Sequence, residues 1–361
     1  MHNLKVRHFI TGCFLLAISI ISIVFFFAFK KTSYHGGFQR NFQSDFLSDR
    51  RIADIGFNSY YIAGLTRSRI YLGNVTAPAH LLSLSYSLDN TDTLRLAFPK
   101  GPKLARPKLR IYVDSVNIYG WENVTPSILT GRMADRSFEY RTLEPKHLFS
   151  APVILSPATL VAKSYDSLVR RSVFSKIRLD GSAGDRKADV LETQIDGYFC
   201  TDGFLMGDLK NLRMAYIYYY RNQFVCLDSN LNLLYSSNTI DTVSTAHIKV
   251  SGLAADNSQR LSSPPMMVNR KGAMSSEWIF IQSGLKSDGE DLEQFDSSSV
   301  IDVYSAAKGK YLFSFYIPDI NGQKILYFNF NERTLFVIID HYLVTYRIKH
   351  PQVIADSPLR K

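Results

Sequence analysis

Phe224-Val225-Cys226-Leu227-Asp228, a turn at Ser229-Asn230, then Leu231-Asn232-Leu233-Leu234-Tyr235 make an apolar strand, a polar turn and a second strand. The unit returns at Val300-Ile301-Asp302-Val303-Tyr304, turning through Lys308-Gly309 into Lys310-Tyr311-Leu312-Phe313-Ser314-Phe315. A third copy runs Leu335-Phe336-Val337-Ile338-Ile339-Asp340, turns at His341-Tyr342 and continues Leu343-Val344-Thr345-Tyr346-Arg347-Ile348. Each copy has a further strand just upstream, at residues 215–220, 278–282 and 325–330. Repetition of such a unit is the mark of a β-propeller, whose four-stranded blades pack face to face around a channel. Outward from these copies, groups of strands open near residues 58, 108, 151, 198, 247 and 318. The expected fold is therefore all-β, a propeller of six blades, with five or seven as alternatives.

Composition agrees. Aromatics reach 13% of the 361 residues, with 21 Tyr and 24 Phe against two Trp, which is strand chemistry. The net charge of +10 includes four charges in the first 31 residues, so the remainder is only mildly basic. A nucleic-acid binder concentrates its charge, and none is expected as a partner. Of three Cys, Cys13 falls in an apolar run, and Cys200 and Cys226 read as two strands apart in one sheet, too far for a disulfide.

The hairpins Val303-Tyr304-Ser305-Ala306-Ala307-Lys308-Gly309-Lys310-Tyr311-Leu312 and Tyr342-Leu343-Val344-Thr345-Tyr346 resemble the outer hairpins of quinoprotein- and YVTN-type propellers. The whole layout resembles uncharacterised membrane-anchored propeller proteins of Bacteroidota. The Trp-docking repeats that close quinoprotein blades are missing, so the resemblance implies a fold and an exported, envelope-associated protein, and brings no catalytic residues.

Phe9 to Phe29 form an uncharged run of 21 residues interrupted only by Thr11, Gly12, Ser19 and Ser22. At about 1.5 Å per residue a helix of this length matches a bilayer core of about 30 Å. The run is too long for a cleaved signal and ends at Lys30-Lys31 without a small-residue site. Ile10-Thr11-Gly12-Cys13 spells a lipobox, but Cys13 lies near the start of the apolar stretch instead of following it. The expected layout is a cytoplasmic tail (1–8), a signal-anchor helix (9–29), a tether (30–57), a propeller (58–350) and a C-terminal tail (351–361). The main domain is expected outside the cytoplasm, on a single-pass membrane protein. Phe38, Phe42, Phe46 and Leu47 give the tether something to bury against the domain.

Chemical motifs are sparse. There is no P-loop, HExxH, G-x-S-x-G or Rossmann fingerprint, and no His pair at ligand spacing. No cofactor and no metal are expected. The acidic stretch Asp288, Glu290, Asp291, Glu293, Asp296 lacks the ligand order of a calcium loop and reads as solvated. The basic stretch holding Lys103, Arg106 and Lys108 reads as an inter-blade loop that could meet anionic lipid or an acidic partner. Tyr216, Tyr218 and Tyr220 share one strand face, either as a stacking platform for a ligand or as packing between blades. Arg221 and Asp228 flank the first hairpin and, with Tyr218, are the remaining candidate binding residues. The favoured function is a non-catalytic binding or assembly module with an envelope protein partner. The alternative is an enzyme (hydrolase, lyase or quinone-linked dehydrogenase) with its site at the channel.

Overall fold

The structure is a computed structural model and describes residues 12, 14–22, 36–99, 109–122, 127–143, 149–180, 182, 184–253 and 258–349. It divides into two units, residues 1–35 and 36–361. In the first unit residues 14–22 are helical, with exposed side chains. Among the described residues no helix is long and apolar enough to cross a membrane. Nine helical residues reach about 14 Å, under half a bilayer core. The expected 9–29 span is thus not found in the described part, and the rest of that run, like the tails 1–8 and 351–361, lies outside it.

The second unit is a propeller of six four-stranded antiparallel blades. Blades 1 to 5 occupy residues 60–95, 110–142, 149–187, 203–238 and 269–318. Blade 6 takes three strands, Ile325–Asn331, Thr334–Ile339 and Tyr342–Ile348, from the end of the chain. Its outer strand is Leu47–Asp54, paired antiparallel with Tyr342–Ile348 from Leu47↔Ile348 to Asp54↔Tyr342. The strand lies inside the stretch read as tether. Outermost in its blade and exposed at most positions, it carries polar side chains that look like linker.

Burial on both faces explains the strand sequences. Trp278–Ser283 and Thr334–Ile339 are buried almost throughout, because blades press on each side of every central strand. Among the described residues each of the six interfaces has its own apolar cluster. Leu81 meets Ile111 between blades 1 and 2, Ile128 meets Leu160 between 2 and 3, and Phe174 meets Tyr216 between 3 and 4. Phe224 packs with Tyr304 between 4 and 5, and Phe280 with Val337 between 5 and 6. Ile338 and Leu72 close the ring between 6 and 1.

Two expectations shift. The strands near residue 247 are a separate hairpin, Val250–Leu253 with Ser258–Leu261, inserted between blades; blade 5 opens at Asn269. The third hairpin is also out of phase. The first two join the third and fourth strands of their blades, whereas Thr334–Ile339 and Tyr342–Ile348 are second and third, the fourth being borrowed. All three turns nonetheless hold a residue in the left-handed region: Leu231 at φ 64°, Gly309 at 67° and Asp340 at 50°.

Residues 36–46 clasp blade 5 before entering blade 6. Gln43 N–H donates to Ser314 O, and Ser314 N–H to Asn41 O, adding a bridge to the outer edge of that blade. Phe46 is buried among Trp278, Phe280, Phe313 and Phe315. Phe42 stacks on Tyr316 at 4.3 Å. The fully enclosed Arg40 guanidinium donates to Asp302 at 2.8 and 3.2 Å and to Glu290 at 2.9 Å. Glu290, expected in a solvated acidic loop, is thereby buried and paired; Asp291 instead caps the short helix Leu292–Asp296.

Candidate functional site

The structure gives the candidates of the first hairpin structural positions. Arg221 is fully buried, its guanidinium 3.7 Å above the Tyr218 ring. It donates to Gln223 Oε1 (2.8 Å), Cys200 O (3.3 Å) and Glu192 O (2.8 Å), pinning the incoming loop. Tyr218 is equally buried, and its hydroxyl oxygen accepts the Glu192 N–H. Burial raises its pKa, with Arg221 pulling the other way. Asp228 sits at the opposite end of the strand Gln223–Asp228, about 17 Å away along it, and accepts from the N–H groups of Asn230 and Asn232. These groups do not converge. Tyr216 packs between blades 3 and 4 as the packing reading expected. Cys200 and Cys226 are free and buried. Lys103, Arg106 and Lys108 lie outside the described residues.

The better site is a groove of about 1050 Å³ built from blade 3 and the connection to blade 4. One wall is the strand Thr159–Asp166 and the turn after it. Asp166 accepts the N–H groups of Leu168 (2.9 Å) and Val169 (3.4 Å), and Arg170 closes the turn at φ 51°. The other wall is the loop Ile195–Asp202. Asp196 accepts from Phe199 N–H (3.1 Å) and Cys200 N–H (2.7 Å) and so shapes the 3-10 turn Phe199–Thr201. Gly197 lets the walls touch: a Cβ there would lie 2.1 Å from Arg170 O, and its own carbonyl accepts Ser172 N–H at 2.7 Å.

At the floor the Lys163 ammonium donates to Asp202 at 2.5 Å and reaches Tyr198 O at 3.5 Å. Burial pushes the Lys163 pKa below the ordinary lysine value, against the opposing pull of Asp202. The Oγ of the next residue, Ser164, is enclosed and has no hydrogen-bond partner among the described residues. The rim is apolar and open. Tyr165 and Tyr198 meet edge to face at 5.5 Å, and Ile195 and Val169 are half exposed. Leu168 is 92% exposed and packs against nothing among the described residues. Large apolar groups crowded around a concave site are the usual mark of a docking surface.

A second cavity, about 620 Å³, opens at the other end of the blades. It is lined by the turns between first and second strands: Asp208 and Lys210 of blade 4, Ser275 to Trp278 of blade 5, Asn331 to Arg333 of blade 6. Gly64 of blade 1 and Tyr112 of blade 2 also reach it, so it is the mouth of the central channel. Among the described residues no group of three His, Cys, Asp or Glu could hold a metal ion.

The groove residues were not among the sequence candidates. One signal was readable: Leu168-Val169 stand as an apolar pair between Asp166-Ser167 and Arg170-Arg171, where a turn should be polar.

No protein-family model and no curated protein matches the chain. Solved structures do. A member of the DUF4221 family from Bacteroides vulgatus aligns with TM-score 0.54 at 10% identity, over 84% of this chain and 97% of that one. A putative exported protein from Bacteroides fragilis aligns with TM-score 0.45 at 9% identity, over 87% and 95%. Virginiamycin B lyase from Staphylococcus aureus gives 0.47 at 8%, over 83% and 99%. At such identities the likeness shows the fold alone.

Proposed function

We propose that the chain is an extracytoplasmic propeller of the cell envelope, held at the membrane by the Phe9–Phe29 run, that binds a protein partner without catalysing a reaction. The anchor reading rests on the length and apolarity of that run. Kinship with the exported propellers of Bacteroidota and their YVTN-type hairpins belongs to the same proposal. The observation that carries the binding role is the exposed Tyr165, Ile195 and Tyr198 lining the blade 3 groove, with exposed Leu168 and Val169 at the hairpin tip between its lining residues Ser167 and Arg170. Tyrosines beside a concave apolar patch are typical anchors of protein interfaces.

The test is a photo-crosslinking amino acid placed at Leu168, or at Leu312 on blade 5 as a control, in the full-length protein in its own cells. One envelope protein, identified by mass spectrometry at Leu168 and missing at Leu312, is the expected result. Identical patterns at both positions, or crosslinks only to a second copy of this chain, would overturn the proposal.

The second reading, an enzyme at the channel, draws on the convergence of Asp208, Lys210, Glu332 and Arg333 from two blades on one cavity. It requires a hydrolytic, eliminative or quinone-linked turnover that disappears in Glu332→Gln and Asp208→Asn.

A further inference from the structure

We infer that the blade 3 groove recognises an extended protein segment in which a large apolar side chain stands next to a carboxylate. The inference rests on the docking role proposed above and names what the groove selects.

The charges inside the groove are not equally available. Asp196 is committed to the amides of Phe199 and Cys200. Asp202 is committed to Lys163, and Lys163 to Asp202 and the Tyr198 carbonyl. Asp166, behind the turn, accepts from Leu168, Val169 and Arg186. Arg170 differs. It lines the groove, is exposed, and makes no ion pair among the described residues. Its backbone is fixed by the left-handed turn and by the Ser172–Gly197 hydrogen bond beside it. A guanidinium positioned in this way favours a carboxylate, which it can meet with two parallel hydrogen bonds.

The remaining features give the rest of the ligand. The exposed rings of Tyr165 and Tyr198 offer faces to one bulky apolar group, and Leu168 would cover it from the hairpin tip. The exposed aliphatic groups Leu168, Val169 and Ile195 suit a peptide better than a saccharide, whose hydroxyl groups they would leave unpaired. One open cation is too few for a nucleic-acid backbone.

The experiment is panning of a phage-displayed library of random linear peptides on the purified full-length protein in detergent. Selected peptides should share an aromatic or large aliphatic residue within two positions of Asp or Glu. Synthetic copies should lose about tenfold or more in affinity on Arg170→Ala and on Tyr198→Ala. Panning on Arg170→Glu should exchange the acid for Lys or Arg. Circular dichroism melts matching the parent establish that each variant is folded. Groove-dependent peptides that lack an acid, or that bind Arg170→Glu unchanged, would overturn this inference while leaving protein docking intact. Selected peptides indifferent to Tyr198→Ala would overturn the docking role, and the present inference with it.

Discussion

The clasp on blade 5 and the groove beside blade 3 are built from similar materials to opposite ends. There the clasp brings in an aromatic and a charged group, Phe46 and Arg40, and both are met. Phe46 is enclosed by four rings, and Arg40 by two carboxylates and the Leu285 carbonyl. Among the described residues the fourth strand of blade 3 is only Arg186–Lys187, and the hydroxyls of Ser164, Ser172 and Ser175 are buried without partners. Its hairpin tip turns leucine and valine outward. The difference separates a region made for stability from one whose groups are left open to something else.

The comparison breaks first at Arg40. Arg40→Met leaves Glu290 and Asp302 enclosed without their cation, and should cost about 3–5 kcal/mol in urea unfolding. Phe46→Ala should cost a similar amount, about 3–5 kcal/mol, by opening a cavity in the aromatic cluster. The two combined should cost less than their sum, since either one loosens the same clasp. A loss under about 1 kcal/mol for both would mean that the clasp does not close the ring.

At the groove the sign reverses. Ser164→Ala removes an unmet hydroxyl and should stabilise the protein by about 1 kcal/mol in the same titration. Leu168→Asp should leave stability within about 0.5 kcal/mol while abolishing crosslinking from Tyr198.

Lys271 sharpens the contrast by pH. It lies on the inner strand Asn269–Met274, 4.7 Å from the centre of the Tyr327 ring, and burial lowers its pKa below 10.5. Between the lowered folded value and the ordinary one, the unfolded chain binds more protons, so the wild type gains stability as pH rises. Lys271→Met should therefore melt higher than wild type at neutral pH, and the gap should narrow toward pH 10. A gap that does not vary with pH would place the cost elsewhere.

How much was legible follows from where each signal sits. Strands buried on two faces, such as Thr334–Ile339, are apolar throughout and announce themselves. Leu47–Asp54 does not, because an outermost strand keeps polar side chains and its pairing lies almost 300 residues away. Arg40 meets Glu290 and Asp302 across separations of 250 and 262 residues, which no local pattern records. The surroundings of two candidate residues were hidden for a related reason. Arg221 and Tyr218 were conspicuous as polar groups on an apolar hairpin, yet their partners come from the Glu192–Cys200 loop and consume them. The turns carried a steadier signal than glycine. Asp54, Asp114, Asp166, Asp180, Asp208 and Asp228 each accept the N–H two residues ahead, a recurrence hidden by the differing loops around it.

Because blade 6 joins Leu47–Asp54 to strands made almost 300 residues later, the polypeptide leaves the ribosome with that early strand waiting. That edge stays unsatisfied until residues 342–348 arrive, so early collapse can assemble neighbouring blades but not the circle. Truncation anywhere before the final hairpin would thus yield an open arc with two raw ends, prone to joining its own kind.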